Sequence, residues 1–328
     1  MRSFKYLFIF IYTQQFIRKE TRLMEQIFPN SILQMSTIFL SIVIEAFPFV
    51  LLGCLISGAI HVFLTPERVI RLLPENKFLS IFFGSILGFF FPSCECGIVP
   101  IVHQFLKKGV PSYTAFAFML TAPIINPIVL FSTYIAFSNS WQFVFWRVGG
   151  SMLIAFAVGF WLAFINKEPI LIKEETQETA DEAAACSTDA PHESTTSFLS
   201  KSKEVITHGI DEFFDTGRYL IIGALLASAM QTYLPTAAIL QFGQTKLLAI
   251  AVMILMAFVL SLCSEADAFI GSSLLSLFGT GPVVGFLIFG PMVDIKNLLM
   301  MKRYFKGSFM LKFVGLITVL TAAYAYFV

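Results

Sequence analysis

The chain has 328 residues, 57% of them hydrophobic and 13% charged, with 38 phenylalanines and a mean hydropathy of +0.79. A soluble domain carries about 25% charged residues, so the apolar excess has to face lipid, and the composition predicts an all-α polytopic membrane protein. A net charge of +1 excludes a nucleic-acid partner, which demands a strongly basic face, and five cysteines scattered among apolar segments make no disulfide framework.

In chain order, Tyr6 to Ile17 is only 12 residues long before Arg18-Lys19-Glu20. That is short for a span, so residues 1–32 are expected to form a peripheral N-terminal extension or a start-site extension upstream of Met24. Six apolar stretches approach the roughly 20 residues needed to cross a bilayer: Met35–Ile60, Pro111–Phe137, Phe143–Ile165, Thr216–Tyr233, Gly281–Ile295 with its flanks, and Phe309–Val328. Two more, Phe78–Leu106 and Lys246–Phe278, are interrupted by Pro92-Ser93-Cys94-Glu95-Cys96-Gly97 and Leu262-Cys263-Ser264-Glu265-Ala266-Asp267. Each is either one long span or a re-entrant hairpin. Residues 167–205 are rich in acidic residues, Ser, Thr and Ala and read as a solvated, disordered linker.

The linker separates two similar halves, 33–166 and 206–328. Glu45 and Gly53 match Asp215 and Gly223, Cys94 matches Cys263, and Ala122-Pro123-Ile124-Ile125-Asn126 matches Gly290-Pro291-Met292-Val293-Asp294, at offsets of 170, 169 and 168 residues. A nearly constant offset is the mark of an internal duplication.

Positive charge accumulates in cytoplasmic loops. If both interrupted stretches cross the membrane, the Lys and Arg residues show hardly any bias. If both are hairpins, Arg68, Arg71, Lys77, Lys107, Lys108 and the linker lysines fall on one side together with Lys296, Lys302, Arg303 and Lys306, while Lys246 and Arg147 keep to the other. This arrangement places Arg18, Lys19 and Arg22 outside. Each half then has three transmembrane helices and one hairpin, and an odd number of spans inverts the second half relative to the first. The alternative is eight full transmembrane helices. Inverted repeats with broken helices and polar tips near the bilayer centre are the layout of a secondary transporter.

The two tips, together with Lys108-Gly109-Val110-Pro111, Thr121-Ala122-Pro123-Ile124-Ile125-Asn126-Pro127 and Phe289-Gly290-Pro291-Met292-Val293-Asp294-Ile295-Lys296, resemble the signature runs of the predicted permeases of ArsP type. The resemblance extends from about Glu45 to the C-terminus, less the linker. It implies an inner-membrane permease, multi-pass in a bacterial plasma membrane, in a family of which some members export trivalent organoarsenicals.

Residue by residue, Cys94 and Cys96 flank Glu95 ahead of a helix expected to begin near Gly97. Sulfur ligands select soft species such as trivalent arsenic, zinc or monovalent copper, and Cys263 from the opposed tip would bring a third. Cys54, in an apolar span, reads as packing. Carboxylates in apolar segments are costly and point to function: Glu95, Glu265, Asp267 and Asp294 join Asn126 and Ser264 as candidate substrate contacts, and Glu45 and Asp215 are candidates for proton coupling. Ser264 also fits a helix N-cap ahead of Asp267, and Asp294 with Lys296 fits a membrane boundary. His103 reads as a polar lining residue, since no second histidine stands at ligand spacing. Cys186 and His192 fall in the linker.

No P-loop run is present, so the chain cannot burn ATP by that route. The function expected is therefore a permease, not an enzyme and without a cofactor, exporting a small thiophilic or ionic substrate from within membrane lipid, as a homodimer or with a second membrane subunit. The alternatives are a thiol redox relay through Cys94 and Cys96 and a permease for zinc or a small anion.

Overall fold

The computed structural model describes residues 30–63, 73–74, 76–91, 94–166, 170–172, 198–233 and 245–328. The N-terminal extension to residue 29, most of the acidic linker with Cys186 and His192, and Pro92-Ser93 lie outside the described residues. Among the described residues the regular elements are helices, with an isolated bridge between Leu171 and Phe305. Before the linker come α1 (Asn30–Phe63), α2 (Lys77–Leu87, prolonged by a 3-10 turn over Gly88–Phe90), α3 (Glu95–Lys107), α4 (Ser112–Ile125), α5 (Pro127–Ala136) and α6 (Trp141–Phe164). After it come α7 (Phe198–Tyr233), α8 (Lys246–Leu260), α9 (Ser264–Phe278), α10 (Thr280–Met292), α11 (Ile295–Tyr304) and α12 (Gly307–Phe327).

Among the described residues five helical stretches are long and apolar enough to cross a membrane: Ser31–Phe63, Trp141–Phe164, Ser202–Tyr233, Thr280–Tyr304 and Gly307–Phe327. The pair α4–α5, bent by 42° at its break, makes a sixth. These coincide with the six apolar stretches of the sequence, because length and hydropathy are local properties that survive folding unchanged. One boundary moves. Helix α7 begins at Phe198, inside the stretch expected to be a disordered linker. Its polar first turns pack on α1, where Gly58 abuts the Val205 carbonyl and Gly209 lies against Cys54 and Leu55.

The two interrupted stretches turn back at their breaks. Ser80 hydrogen-bonds Thr114 at 2.7 Å and Thr121 donates to the Ser85 carbonyl at 2.9 Å, so α2 and α4 run the same way, while the short turn over 108–111 sends α4 back along α3. In the second half Gly281 lies by Lys246 and Gly290 by Ala257, making α8 and α10 parallel, and Asp267 by Gly290 and Gly271 by Val283 make α9 antiparallel to α10. Both stretches therefore begin and end at the same end of their helix bundle. Spacing is kept as well: Glu95 and Ser264, which open α3 and α9, are 169 residues apart, and the starts of α2 and α8, α4 and α10, and α5 and α11 follow within one residue of that spacing.

Each break has a local cause. In the first half the helix tightens to a 3-10 turn and leaves it at Phe91 in an extended conformation. In the second, Ser261 is left-handed, with φ 48° and ψ 46°, a conformation that costs a residue with a Cβ roughly 1–2 kcal/mol. Asn126 and Asp294 then separate α4 from α5 and α10 from α11. Each accepts hydrogen bonds from the backbone of the following helix: Asn126 from Ile128 N at 2.7 Å, Asp294 from Asn297 N at 2.6 Å. Pro123 and Pro291 sit inside the last turns of α4 and α10.

Packing joins the halves. Phe116 of α4 meets Phe305, Phe309 and Phe313 at ring distances of 5.2–5.3 Å. Helices α1 and α7 are antiparallel, with Ile42 against Ala224 and Ala227 at one end and Gly58 against Val205 at the other. Helices α6 and α12 are antiparallel too, with Gly150 on Tyr324 and Trp161 on Phe309. Helix α1 lies along α3 and α7 along α11, and neither lies along α5 or α9.

Candidate functional site

The two tips meet. Helix α3 starts at Glu95, two residues ahead of Gly97, with Cys94 in an extended conformation at its N-cap and making no side-chain cap bond. Helix α9 starts at Ser264, so the N-cap position expected for Ser264 belongs to Cys263, again without a cap bond. Ser264 Oγ instead donates to Glu95 Oε2 at 3.4 Å. Lys296 Nζ stands 3.6 Å from Glu95 Oε1 and 3.6 Å from Asp294 Oδ2, and Ser261 Oγ donates to Asp294 Oδ2 at 2.8 Å. Glu95, Asp294, Lys296, Ser261 and Ser264 thus form a closed polar ring that ties α3, the α8–α9 break and the start of α11 together. All five are buried. Carboxylates at the first turns of α3 and α9 and at the cap of α11 also lie at the positive ends of those helices, which favours them.

A second cation holds the other side of the α9 tip. Arg147 of α6 is 0% exposed. It donates from one terminal nitrogen to Thr133 Oγ1 at 2.7 Å and from the other to the Ser264 carbonyl at 2.9 Å. Gln231 of α7 donates to the Leu260 carbonyl at the end of α8. The left-handed break is therefore clamped from α6, α7 and α11. The charge distribution of the sequence puts Lys296 and Arg147 in loops and Asp294 at a membrane boundary. All three are interior instead, because each finds a polar partner on another helix.

Cys94, Cys96 and Cys263 line one cavity with Glu95, Lys296 and Glu45, closed on its far side by Ile42, Ala46 and Phe49 of α1. The cavity measures about 10 Å³, room for a single water at most. Cys263 donates its thiol proton to Glu265. Among the described residues no group of three or more His, Cys, Asp or Glu side chains is arranged to hold a metal ion. Cys54 is fully buried in the helix contact between α1 and its neighbours, the packing place expected of it.

The coupling candidates part company. Glu45 is exposed on α1 and borders the tip cavity. Asp215 is not deep: it accepts from Arg303 Nε at 2.9 Å, pairs with Arg218, and is 28% exposed. It lines a separate open cleft of about 620 Å³ at the far ends of α3 and α11, where His103 stacks on Tyr304 at 4.1 Å and faces Glu212 at 3.8 Å. The cleft and the tip cavity thus occupy opposite ends of the same helix pair. Half-exposed ion pairs contribute about 0.2–1 kcal/mol, so Asp215→Asn is expected to lower stability by no more than about 1 kcal/mol in thermal unfolding of the detergent-purified protein. A larger loss would show that the pair braces the fold.

A multi-pass helical protein whose spans break at buried, charged tips has the architecture of a permease. The chain belongs to the ArsP_1 family of predicted permeases, whose profile matches residues 31–328. It is 55% identical over 287 residues, 88% of this chain and 92% of the relative, to a Streptococcus mutans protein whose name proposes it as a two-component membrane permease complex subunit. It is 48% identical over 294 residues, 90% and 96% of the two chains, to UPF0718 protein YcgR of Bacillus subtilis, and 21% identical over 258 residues, 78% and 70%, to UPF0718 protein YraQ of Escherichia coli. No solved structure matches the chain. The protein is a multi-pass cell-membrane protein of a permease family.

Proposed function

We propose that the protein is a secondary transporter that exports a small thiophilic substrate, a trivalent organoarsenical or a soft metal ion, between its two hairpin tips. The observation that carries this reading is the single cavity shared by Cys94, Cys96 and Cys263, three sulfurs from the opposed tips. At about 10 Å³ that cavity is occluded, so passage requires the tips to part. The open cleft at the far ends of α3 and α11 is the corresponding vestibule. An inverted duplication over 33–166 and 206–328 underlies this design, supported by the matched helix starts and by the antiparallel packing of α1 on α7 and of α6 on α12. The Streptococcus mutans relative's name supports a second membrane subunit as partner.

The test is transport in everted vesicles, with methylarsenite, arsenite, zinc and copper supplied in turn. Cys94→Ser, Cys96→Ser and Cys263→Ser keep shape but replace a soft sulfur by a hard hydroxyl. Each is expected to lower transport per folded molecule at least about tenfold, while Cys54→Ser, away from the tips, transports as the parent does. Undiminished transport in all three tip variants would dispose of the thiophilic substrate.

A further inference from the structure

Three of the chain's four histidines gather at the end of the molecule away from the tips. His61 of α1 stacks on His208 of α7 at 4.2 Å. His103 of α3 stacks on Tyr304 of α11 at 4.1 Å, and its Nδ1 stands 3.8 Å from Glu212 Oε1 of α7. His103 and Tyr304 are 4% and 3% exposed although both line the open cleft of about 620 Å³, so together they make its floor. Seven residues of α3 lead from Cys96 to His103 and eight of α11 from Lys296 to Tyr304, which sets this floor about 10–12 Å from the tip cavity along both helices. His103 belongs to the first half of the chain, Glu212 and Tyr304 to the second. A passage from the cleft to the tip cavity along this seam opens only when their contact is undone.

At 3.8 Å the two atoms of the His103–Glu212 contact are too far apart for a hydrogen bond. What draws them together is charge, and the charge of an imidazole comes and goes between about pH 5 and 8. Around the pair, α3 brings Lys107, α7 brings His208, Asp211, Asp215 and Arg218, and α11 brings Arg303 and Tyr304. Helix α1 adds His61 and the Cys54 thiol, on which Glu212 acts, while its Glu45 lies at the tip cavity. Helix α4, also packed on α3, carries no charged residue, and α8, which meets α7 at Gln231, has Lys246 alone, at its other end. Arg218 and Arg303 both pair with Asp215, and the Tyr304 hydroxyl shares a hydrogen bond of 2.8 Å with Thr216. We propose that His103 and Glu212 bind one proton as a pair, and that this proton latches the two halves together at the floor of the cleft. With His103 as imidazolium the closed contact joins unlike charges; without the proton a carboxylate faces a neutral ring, and parting the halves costs less. The closed state thus holds the proton more tightly than the open one, so closure is favoured as pH falls through the histidine range and weakened as pH rises through it. The latch rests on the permease reading above and moves the coupling position from Glu45 and Asp215 to the seam between α3 and α7.

The experiment is amide hydrogen exchange of the full-length protein in lipid nanodiscs, with no transport substrate present, read on peptides from α3 and α11 at pH 6 and pH 8. Each rate is divided into the chemical rate at the same pH, so the resulting protection reports opening of the structure and not base catalysis. Protection of both helices in the parent protein is expected to be at least about fivefold higher at pH 6 than at pH 8. His103→Gln and Glu212→Gln are each expected to bring that ratio close to one. General damage lowers protection at both pH values and leaves their ratio standing, so it cannot imitate this result, and Glu212→Gln, whose side chain is the more exposed of the two, decides alone if His103→Gln fails to fold. His208→Gln is expected to keep the ratio. Equal protection at the two pH values in the parent, a ratio that survives either Gln variant of the pair, or one that disappears in His208→Gln, which would move the switch to the His61–His208 stack, overturns the proposal. The thiophilic substrate can fail in the vesicle assay without touching these ratios, and a flat pH response sinks the latch while leaving the tip cysteines as they stand.

Discussion

Arg147→Met is expected to lower the stability of the folded protein by ~3–5 kcal/mol, the range for removing one partner of a buried charge cluster. Arg147 is 0% exposed in the second turn of α6, so methionine leaves the Ser264 carbonyl and Thr133 without this donor. It also removes a positive charge that acts on Asp267. Arg147→Lys keeps the charge, yet an ammonium is a point donor without the planar fork that spans two acceptors, so it should recover only part of the loss. The double variant Arg147→Met with Asp267→Asn removes charge of both signs and should cost less than the two single changes together, by about 0.5–3 kcal/mol. Unfolding in mixed micelles measures all four proteins. Parent-like stability in Arg147→Met, or strict additivity in the double variant, would show that the guanidinium holds nothing in place.

The second large effect is steric. Gly53→Val is expected to destabilise the protein by ~3 kcal/mol or more, enough to deplete it from the membrane. A Cβ at Gly53 would stand 2.3 Å from the Gly97 carbonyl oxygen and 2.8 Å from Gly97 Cα. Both are backbone atoms, so no rotamer change relieves the clash and α1 must withdraw from α3. Small residues allow such close approach between membrane helices. The control is Gly217→Ala on α7, where nothing lies within 4 Å of the added carbon. There alanine should be neutral or should add up to ~1 kcal/mol through helix propensity. Normal amounts of folded Gly53→Val would mean that the α1–α3 contact is dispensable.

The spans and both breaks were legible in the sequence because each is written locally. Twenty apolar residues announce a crossing, and a polar run such as Ser93-Cys94-Glu95-Cys96 announces an interruption wherever the chain goes. Asn126 and Asp294 were visible for the same reason, as polar residues between apolar neighbours. The ring around Glu95 was only half visible. Lys296 and Arg147 were counted as loop charges, since a cation near the end of an apolar stretch looks the same in one dimension whether it points to water or to a buried carboxylate. A second polar residue one helix earlier, such as Thr133 before Arg147, is the faint signal that separates the cases. Ser261 gave no signal at all, because its left-handed conformation is imposed by partners distant in the chain. The length of α7 was hidden because its polar first turns, rich in Ser and Lys, resemble the linker they leave.

The one-sided packing of α1 and α7 gives the molecule a handed choice. Both helices rest on α3 and α11, which run from the tips toward the Lys107 and Arg303 ends, and leave α5 and α9, which run the opposite way, without that cover. If the halves are related by a twofold axis in the membrane plane, α5 and α9 offer the same pair of rails to the other leaflet. A rocker that can sit on only one pair at a time has two resting positions of similar energy. The duplication would then have supplied a symmetric seat, and the lopsided placement of α1 and α7 on it would record which face of the membrane was last addressed.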